Sequence, residues 1–264
     1  MSLVENSSAM RDRKVALRAV PSEAPWSWLA AGWRDLKRGG WVSLSYGLFF
    51  ALASAAITLG LWLTDSMQVL PPLAAGFMLV GPLLAVGLYE ISRRLEAGKP
   101  VSIEAALLSM TRSPVQIGFL GVLLMVCLLF WIRLAFLLFA LFLGTGAAPP
   151  PEIFVSQLLF TPEGLGLVVV GTLAGALLAF GVYAISVVSV PLLLDRDIDA
   201  MTAIIASLKS VRLNWKPLLL WAWLIAIITI AGLATFYVGL IVTFPLIGHA
   251  TWHAYRDLVE PAAR

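Results

Sequence analysis

His249 and His253 stand four residues apart in the run FPLIGHATWHAYRD, a spacing that puts both imidazoles on one face of a helix. Two imidazoles so placed could ligate a metal ion or a haem. With 2 histidines and 1 cysteine in the whole chain, no second cluster completes such a site, and no acid precedes Asp257 on the same helix. The plainer reading is the stronger one: His253, a turn from Arg256, belongs to the membrane interface, and His249 hydrogen-bonds to a neighbouring helix. We expect no catalytic group, no metal ligand and no cofactor.

Three prolines, Pro82, Pro191 and Pro245, each sit late in an apolar run. Eight residues beyond them come Glu90, Asp199 and His253; four beyond come Val86, Asp195 and His249. Ionisable groups at membrane depth are costly and mark function more often than chance. Glu90, Asp195, Asp199, His249 and His253 are therefore the candidate polar layer near the cytoplasmic leaflet, with Glu90 or Asp195 pairing with His249 or His253. Such a layer could serve a proton path or a binding pocket.

Arg133 is the one charge inside the run 115–143. It lies about 27 Å along a helix from Val115 at the standard rise, near the outer leaflet. Snorkelling beside Trp131, or pairing with Asp65, Glu152 or Glu163, would satisfy it; a substrate-anion contact is the functional alternative. Cys127, in the same run, reads as a buried structural thiol. The chain holds no phosphate-binding glycine loop, no HExxH, no G-x-S-x-G elbow and no carboxylate pair in an evident cleft, so it is not expected to be an enzyme.

These groups need helices to hold them, and composition says in what solvent. Hydrophobic residues make up 60% of the chain and charged ones 12%, about half the charge of an ordinary globular domain. Mean hydropathy is +0.93. The expected fold is all-α, a polytopic membrane protein with six spans at about 41–63, 71–93, 115–142, 165–190, 217–232 and 235–256. Residues 217–255 contain no Asp, Glu, Lys or Arg; as one helix they would be nearly twice a hydrocarbon core of roughly 30 Å, hence two spans with a turn near Ala231-Gly232.

Three short amphipathic helices precede the hairpins. The first runs 25–38, with Trp26, Leu29, Trp33 and Leu36 at helical spacing. The second starts from an N-cap at Ser102, with Ile103, Ala106, Leu107 and Met110 on one face. The third carries Met201, Ile204, Ile205, Leu208 and Val211. Indoles in the headgroup layer and basic groups toward water make these cytoplasmic interfacial helices. Aligned on Arg38, Arg112 and Arg212, the chain reads as three units of one interfacial helix plus one transmembrane hairpin. In the fourth span Gly171, Gly175 and Ala179 recur at four-residue intervals, a helix-packing stripe.

Residues 1–20 read as a flexible cytoplasmic tail, 21–258 as one transmembrane domain, and 259–264 as a C-terminal tail. With both termini cytoplasmic, every one of the 18 Lys and Arg residues except Arg133 falls inside, as the positive-inside rule requires. The net charge of +3 is thus topology rather than a nucleic-acid footprint. The expected setting is the bacterial inner membrane, in contact with lipid, with other membrane subunits or further copies of the chain as partners. A non-catalytic accessory, scaffold or assembly subunit is the first functional reading; a small transporter or channel with a polar site near the cytoplasmic leaflet is the alternative.

The segments PPLAAGFMLVGPLLAVGLYEISRRLEAGKPVS, SVPLLLDRDIDAMTAIIASLKSVRLNWKPLLLW, FPLIGHATWHAYRDL and PWSWLAAGWRDLKR resemble a bacterial family of integral membrane proteins known as domain of unknown function 2189. The likeness extends from Pro21 to Val259. Some family members carry a cytochrome c oxidase subunit label, which implies a place beside a respiratory complex. A catalytic oxidase core needs several histidines for haem and copper, and this chain has 2.

Overall fold

The computed structural model describes residues 15–144 and 151–261. Residues 1–14 of the expected tail, 145–150 with Pro149 and Pro150, 262–264, and the side chains of Met110, Pro151 and Glu152 lie outside the described residues. The regular elements are helices: α1 (Ala24–Leu63), α2 (Leu70–Leu84), α3 (Val86–Glu96), α4 (Ile103–Leu108), α5 (Pro114–Leu143), α6 (Pro151–Phe160), α7 (Pro162–Ser186), α8 (Ser189–Asp195), α9 (Ala200–Leu213), α10 (Trp215–Ala234) and α11 (Leu240–Leu258).

Among the described residues five stretches are long and apolar enough to cross a membrane: Ala24–Leu63, Met67–Glu96, Pro114–Leu143, Pro162–Asp195 and Trp215–Ala234. The sixth expected span, in α11, is not among them, because its last turns carry His249, His253, Arg256 and Asp257.

The interfacial helix and first span form one element that kinks at Gly40, whose φ of 51° and ψ of −127° interrupt it. That left-handed backbone is open to glycine at no steric cost. Proline shapes the returning helices. In α2, Pro82 precedes a break at Ala85 that separates α2 from α3, and the Tyr46 hydroxyl of α1 donates to the Leu84 carbonyl there at 2.8 Å. Pro191 stands four residues after the break between α7 and α8, as the clash of a proline ring with the carbonyl of residue i−4 dictates. Ser207 of α9 repairs that break: its Oγ donates to the Ala184 carbonyl at 2.7 Å and accepts from the Val188 amide at 3.2 Å. Side chains of neighbouring helices thus answer for backbone groups that the bilayer could not.

α11 stays continuous through Pro245 and packs along α1 for nearly its whole length. Glycines set the distance. A Cβ on Gly32 would lie 2.7 Å from the Ala250 nitrogen, and one on Gly47 would lie 2.4 Å from the Ile241 carbonyl oxygen. Ile241 is four residues before Pro245, so the carbonyl that proline deprives of its donor is the one the α1 backbone covers. Phe244 stacks among Tyr46, Phe50 and Phe77, and farther out Tyr237 and Thr58 share a hydrogen bond of 2.6 Å.

Several expectations are corrected. The α10–α11 turn falls at Thr235–Gly239 rather than at Ala231-Gly232. Phe236 and Tyr237 adopt positive φ there, while Gly232 is buried against Leu240 and Thr243. Residues 15–20 are not part of a tail: Leu17 bridges Val259, Arg18 donates to the Leu258 carbonyl at 2.9 Å, and Asn214 holds both Arg18 and Val20. Val259, expected to open the C-terminal tail, is 2% exposed for the same reason. Gly175 lies against Trp131 and Ala179 packs on the cluster of Leu79, Leu124, Trp131 and Val182, but a Cβ on Gly171 would meet nothing within 4 Å, so Gly171 is not a packing residue. Cys127 is half-buried, not buried.

The glycine seam gives a direct expectation. Gly47→Ala forces the α1 and α11 backbones apart and costs about 1–3 kcal/mol, the usual range for overpacking. Gly171→Ala is neutral. Thermal unfolding of the detergent-solubilised protein, followed by size exclusion, checks the contrast; equal melting of the two variants would contradict it.

Candidate functional site

The segments that follow Pro82, Pro191 and Pro245, in α3, α8 and α11, bring their polar exits together with the N-terminal half of α1 and the start of α5. His249 is fully buried in α11, and each ring nitrogen is engaged: Nε2 with the Ser43 hydroxyl of α1 at 2.9 Å, Nδ1 with the Ser92 hydroxyl of α3 at 2.8 Å. A neutral imidazole offers one donor and one acceptor, and a hydroxyl can answer either. The ring therefore pins three helices and keeps no nitrogen for a metal.

Glu90 is the other fully buried member. Its carboxylate accepts from Arg93 at 2.8 and 3.0 Å, from Arg94 at 2.7 Å and from Arg112 at 3.1 Å. The first two arginines lie on its own helix and the third at the foot of α5, so the cluster fastens one hairpin to the next. The expected pairing of Glu90 with a histidine does not form, because guanidinium groups three and four residues on reach the carboxylate first and bind it as a fork.

His253 instead meets Asp35 of α1, Nε2 to Oδ2 at 2.8 Å, with the Glu96 carboxylate 3.9 Å from Nδ1. Asp35 lies on the amphipathic half of α1, before the apolar run that opens at Trp41. Burial alone would raise its carboxyl, but hydrogen bonds from His253 and Ser92 outweigh that and hold it below the usual carboxylate value. Asp195, also expected to meet a histidine, accepts from the Tyr255 hydroxyl at 2.7 Å and lies 3.6 Å from Arg256. Arg256 reaches Glu96 at 3.3 Å, and Trp28 Nε1 donates to Asp257 at 2.7 Å. Asp199 is the N-cap of α9, accepting from the Thr202 amide and hydroxyl.

Arg133 lies outside this layer. Its side chain is exposed, and among the described residues it makes no ion pair with Asp65 or Glu163. Trp131 does not accompany it to the interface: two residues away, it faces inward, and its Nε1 donates to the Pro72 carbonyl at 2.8 Å. Among the described residues no group of three His, Cys, Asp or Glu side chains is placed to hold a metal ion.

Asp35, Ser43, Ser92, Glu96 and Tyr255 were not singled out from the sequence. One signal was present: Gly39, Ser43, Gly47 and Ala51 recur at four-residue intervals in α1, a small-residue stripe of the kind that marks close helix contact, and all four are buried.

A cleft lies deeper between the helices, with a volume of about 460 Å³. Its two walls are α7, from Thr172 to Tyr183, and α10, from Leu219 to Thr229; α2 and α11 form the back through Phe77 and Phe244.

Replacing Glu90 with Gln leaves three guanidinium groups competing for a neutral amide. The expected loss is about 1–3 kcal/mol of stability, since the arginines keep some access to water. Arg112→Gln should cost less in the Glu90→Gln background than in the wild type, a coupling of roughly 0.5–3 kcal/mol. Strictly additive melting shifts would contradict the cluster.

The chain matches no curated protein and no solved structure. The family match is shorter than the likeness read from the sequence: it takes in α2 through α8 and leaves out α1 and α9 to α11, and its description names no respiratory enzyme. Residues 69–195 match the model of a family described as predicted integral membrane protein (DUF2189).

Proposed function

We propose that the chain is a six-span protein of the bacterial inner membrane, with both termini cytoplasmic, acting as a non-catalytic accessory or scaffold subunit beside other membrane proteins, a respiratory complex among the candidates. Its plan is three units of an interfacial helix and a hairpin: the first half of α1 with its second half and α2–α3, then α4 with α5 and α7–α8, then α9 with α10–α11.

The sixth span rests on packing. α11 runs antiparallel to α1, with Ile241 against Gly47 in the apolar half and Ala250 against Gly32, and Tyr237 of the turn before it reaches Thr58 farther out; a helix held along a spanning helix spans with it. Its polar residues face the bundle rather than lipid, as intramembrane polar groups do.

One observation carries the non-catalytic reading: the fully buried imidazole and carboxylate are already engaged by protein groups. His249 uses both nitrogens on serines, and Glu90 faces three guanidinium groups. A general base or a metal ligand needs a lone pair turned to substrate or ion, and a polar layer of this kind fastens helices. The transporter alternative draws on a different observation, the part-exposed side chains of His253, Asp195 and Arg256.

Purification of the tagged full chain from its native membrane in mild detergent separates the two. The accessory reading predicts a stoichiometric membrane partner. A homogeneous monomer whose proteoliposomes conduct protons or a solute, with His253→Ala abolishing the flux, would replace it by the alternative.

A further inference from the structure

We propose that the cleft between α7 and α10 binds one uncharged, single-chain amphiphile drawn sideways from the bilayer, its hydroxyl- or carbonyl-bearing head at the inner end and its tail along the cleft. This goes beyond the scaffold reading and does not depend on it.

The walls are two facing stripes of small residues. Thr172, Ala176 and Ala179 line the α7 side, and Ala222, Ala226 and Thr229 the α10 side. From Leu219 to Thr229 the cleft runs about 15 Å at the helical rise. Facing small stripes ordinarily let two helices close on each other. Here they do not meet: α7 and α10 are held at their inner ends, where the Tyr183 hydroxyl donates to the Leu218 carbonyl at 2.8 Å, and the space above stays open.

The ends of the cleft carry hydroxyls that the protein leaves unanswered. Tyr89 is 2% exposed and Thr251 5% exposed; both line the inner end, and among the described residues neither hydroxyl has a hydrogen-bond partner. Thr229, 5% exposed, stands at the other end in the same condition. These hydroxyls line the cleft and are available to a ligand head with donor and acceptor groups. Pro82 and Pro191 deprive the carbonyls of Met78 and Val187 of their helical donors, and both residues belong to the lining, adding acceptors for a hydroxyl.

No Asp, Glu, Lys, Arg or His lines the cleft, so a phosphate or ammonium head would enter unpaired. A volume of about 460 Å³ lies within the ordinary range of small-ligand sites.

The test uses the full chain in nanodiscs with three photoactivatable diazirine probes: hexadecanol, hexadecyl phosphate and hexadecane. Peptide mapping of the wild type should place the hexadecanol label on segments 172–183 and 219–229 at least fivefold above the lipid-facing half of α1. Ala226→Phe and Ala176→Phe, filling the cleft from opposite walls, should each cut that label more than threefold. Tyr89→Phe, with melting unchanged, should reduce hexadecanol labelling about threefold and leave hexadecane alone. Even labelling over α1, α5 and α10, or a label that survives both fillings, would overturn the site; the wild-type map decides even if a filled variant fails to fold. Hexadecyl phosphate labelling the cleft as strongly as hexadecanol would overturn the uncharged head, and an indifferent Tyr89→Phe would overturn its placement.

Discussion

The structure depends on how closely α1 and α11 approach. Between apolar helices in lipid there is little hydrophobic gain, so association rests on van der Waals packing and interhelical hydrogen bonds. Both need short distances. Gly32 and Gly47 bring the α1 backbone against Ala250 and Ile241, and only at that separation can Ser43 reach His249 and Asp35 reach His253. A side chain at either glycine would remove the polar contacts together with the packing. The seam joins the first helix to the last, which also places residues 15–20 where they can bond to the chain's end at Leu258 and Glu260.

Around this seam the prolines serve one end. Each stands a turn or two before polar residues that are turned inward to neighbouring helices. The exits differ in wiring. α3 ends in a carboxylate ringed by guanidinium groups, α8 in an aspartate bonded to a tyrosine and near an arginine, α11 in an imidazole bonded to an aspartate. The result is a charged floor in which opposite charges are neutralised locally. Above it the bundle is apolar, and α7 and α10 stay apart along the cleft.

Much of this arrangement was legible from residue types. The apolar runs, the three amphipathic segments, the proline positions and the inward polar exits all follow from spacing, because hydrophobic period and proline sterics act locally. The pairings were not legible. Whether Glu90 meets His253 or Arg112 depends on helix rotation, and rotation is set by contacts distant in sequence, such as Gly47 on Ile241. The α10–α11 turn was misplaced for a related reason: Gly232 looks like a turn residue, but the hairpin needs its lack of a side chain for packing and bends instead at Phe236 and Tyr237. Asp35 was passed over because it sits among basic residues on a segment that reads as solvated, although helical geometry places it on the face of Trp28, Gly32 and Gly39.

On the proposed topology α11 crosses the membrane because it is bound to α1, despite its polar residues, and the whole charged floor lies on one side. Labelling of single cysteines by a membrane-impermeant maleimide, in a Cys127→Ala background in sealed cells, tests it most directly. The account predicts that Thr235→Cys is labelled from outside, while Glu104→Cys, Asp197→Cys and Glu260→Cys react only once the membrane is opened. Protection of Thr235→Cys, or labelling of Glu260→Cys from outside, would contradict it.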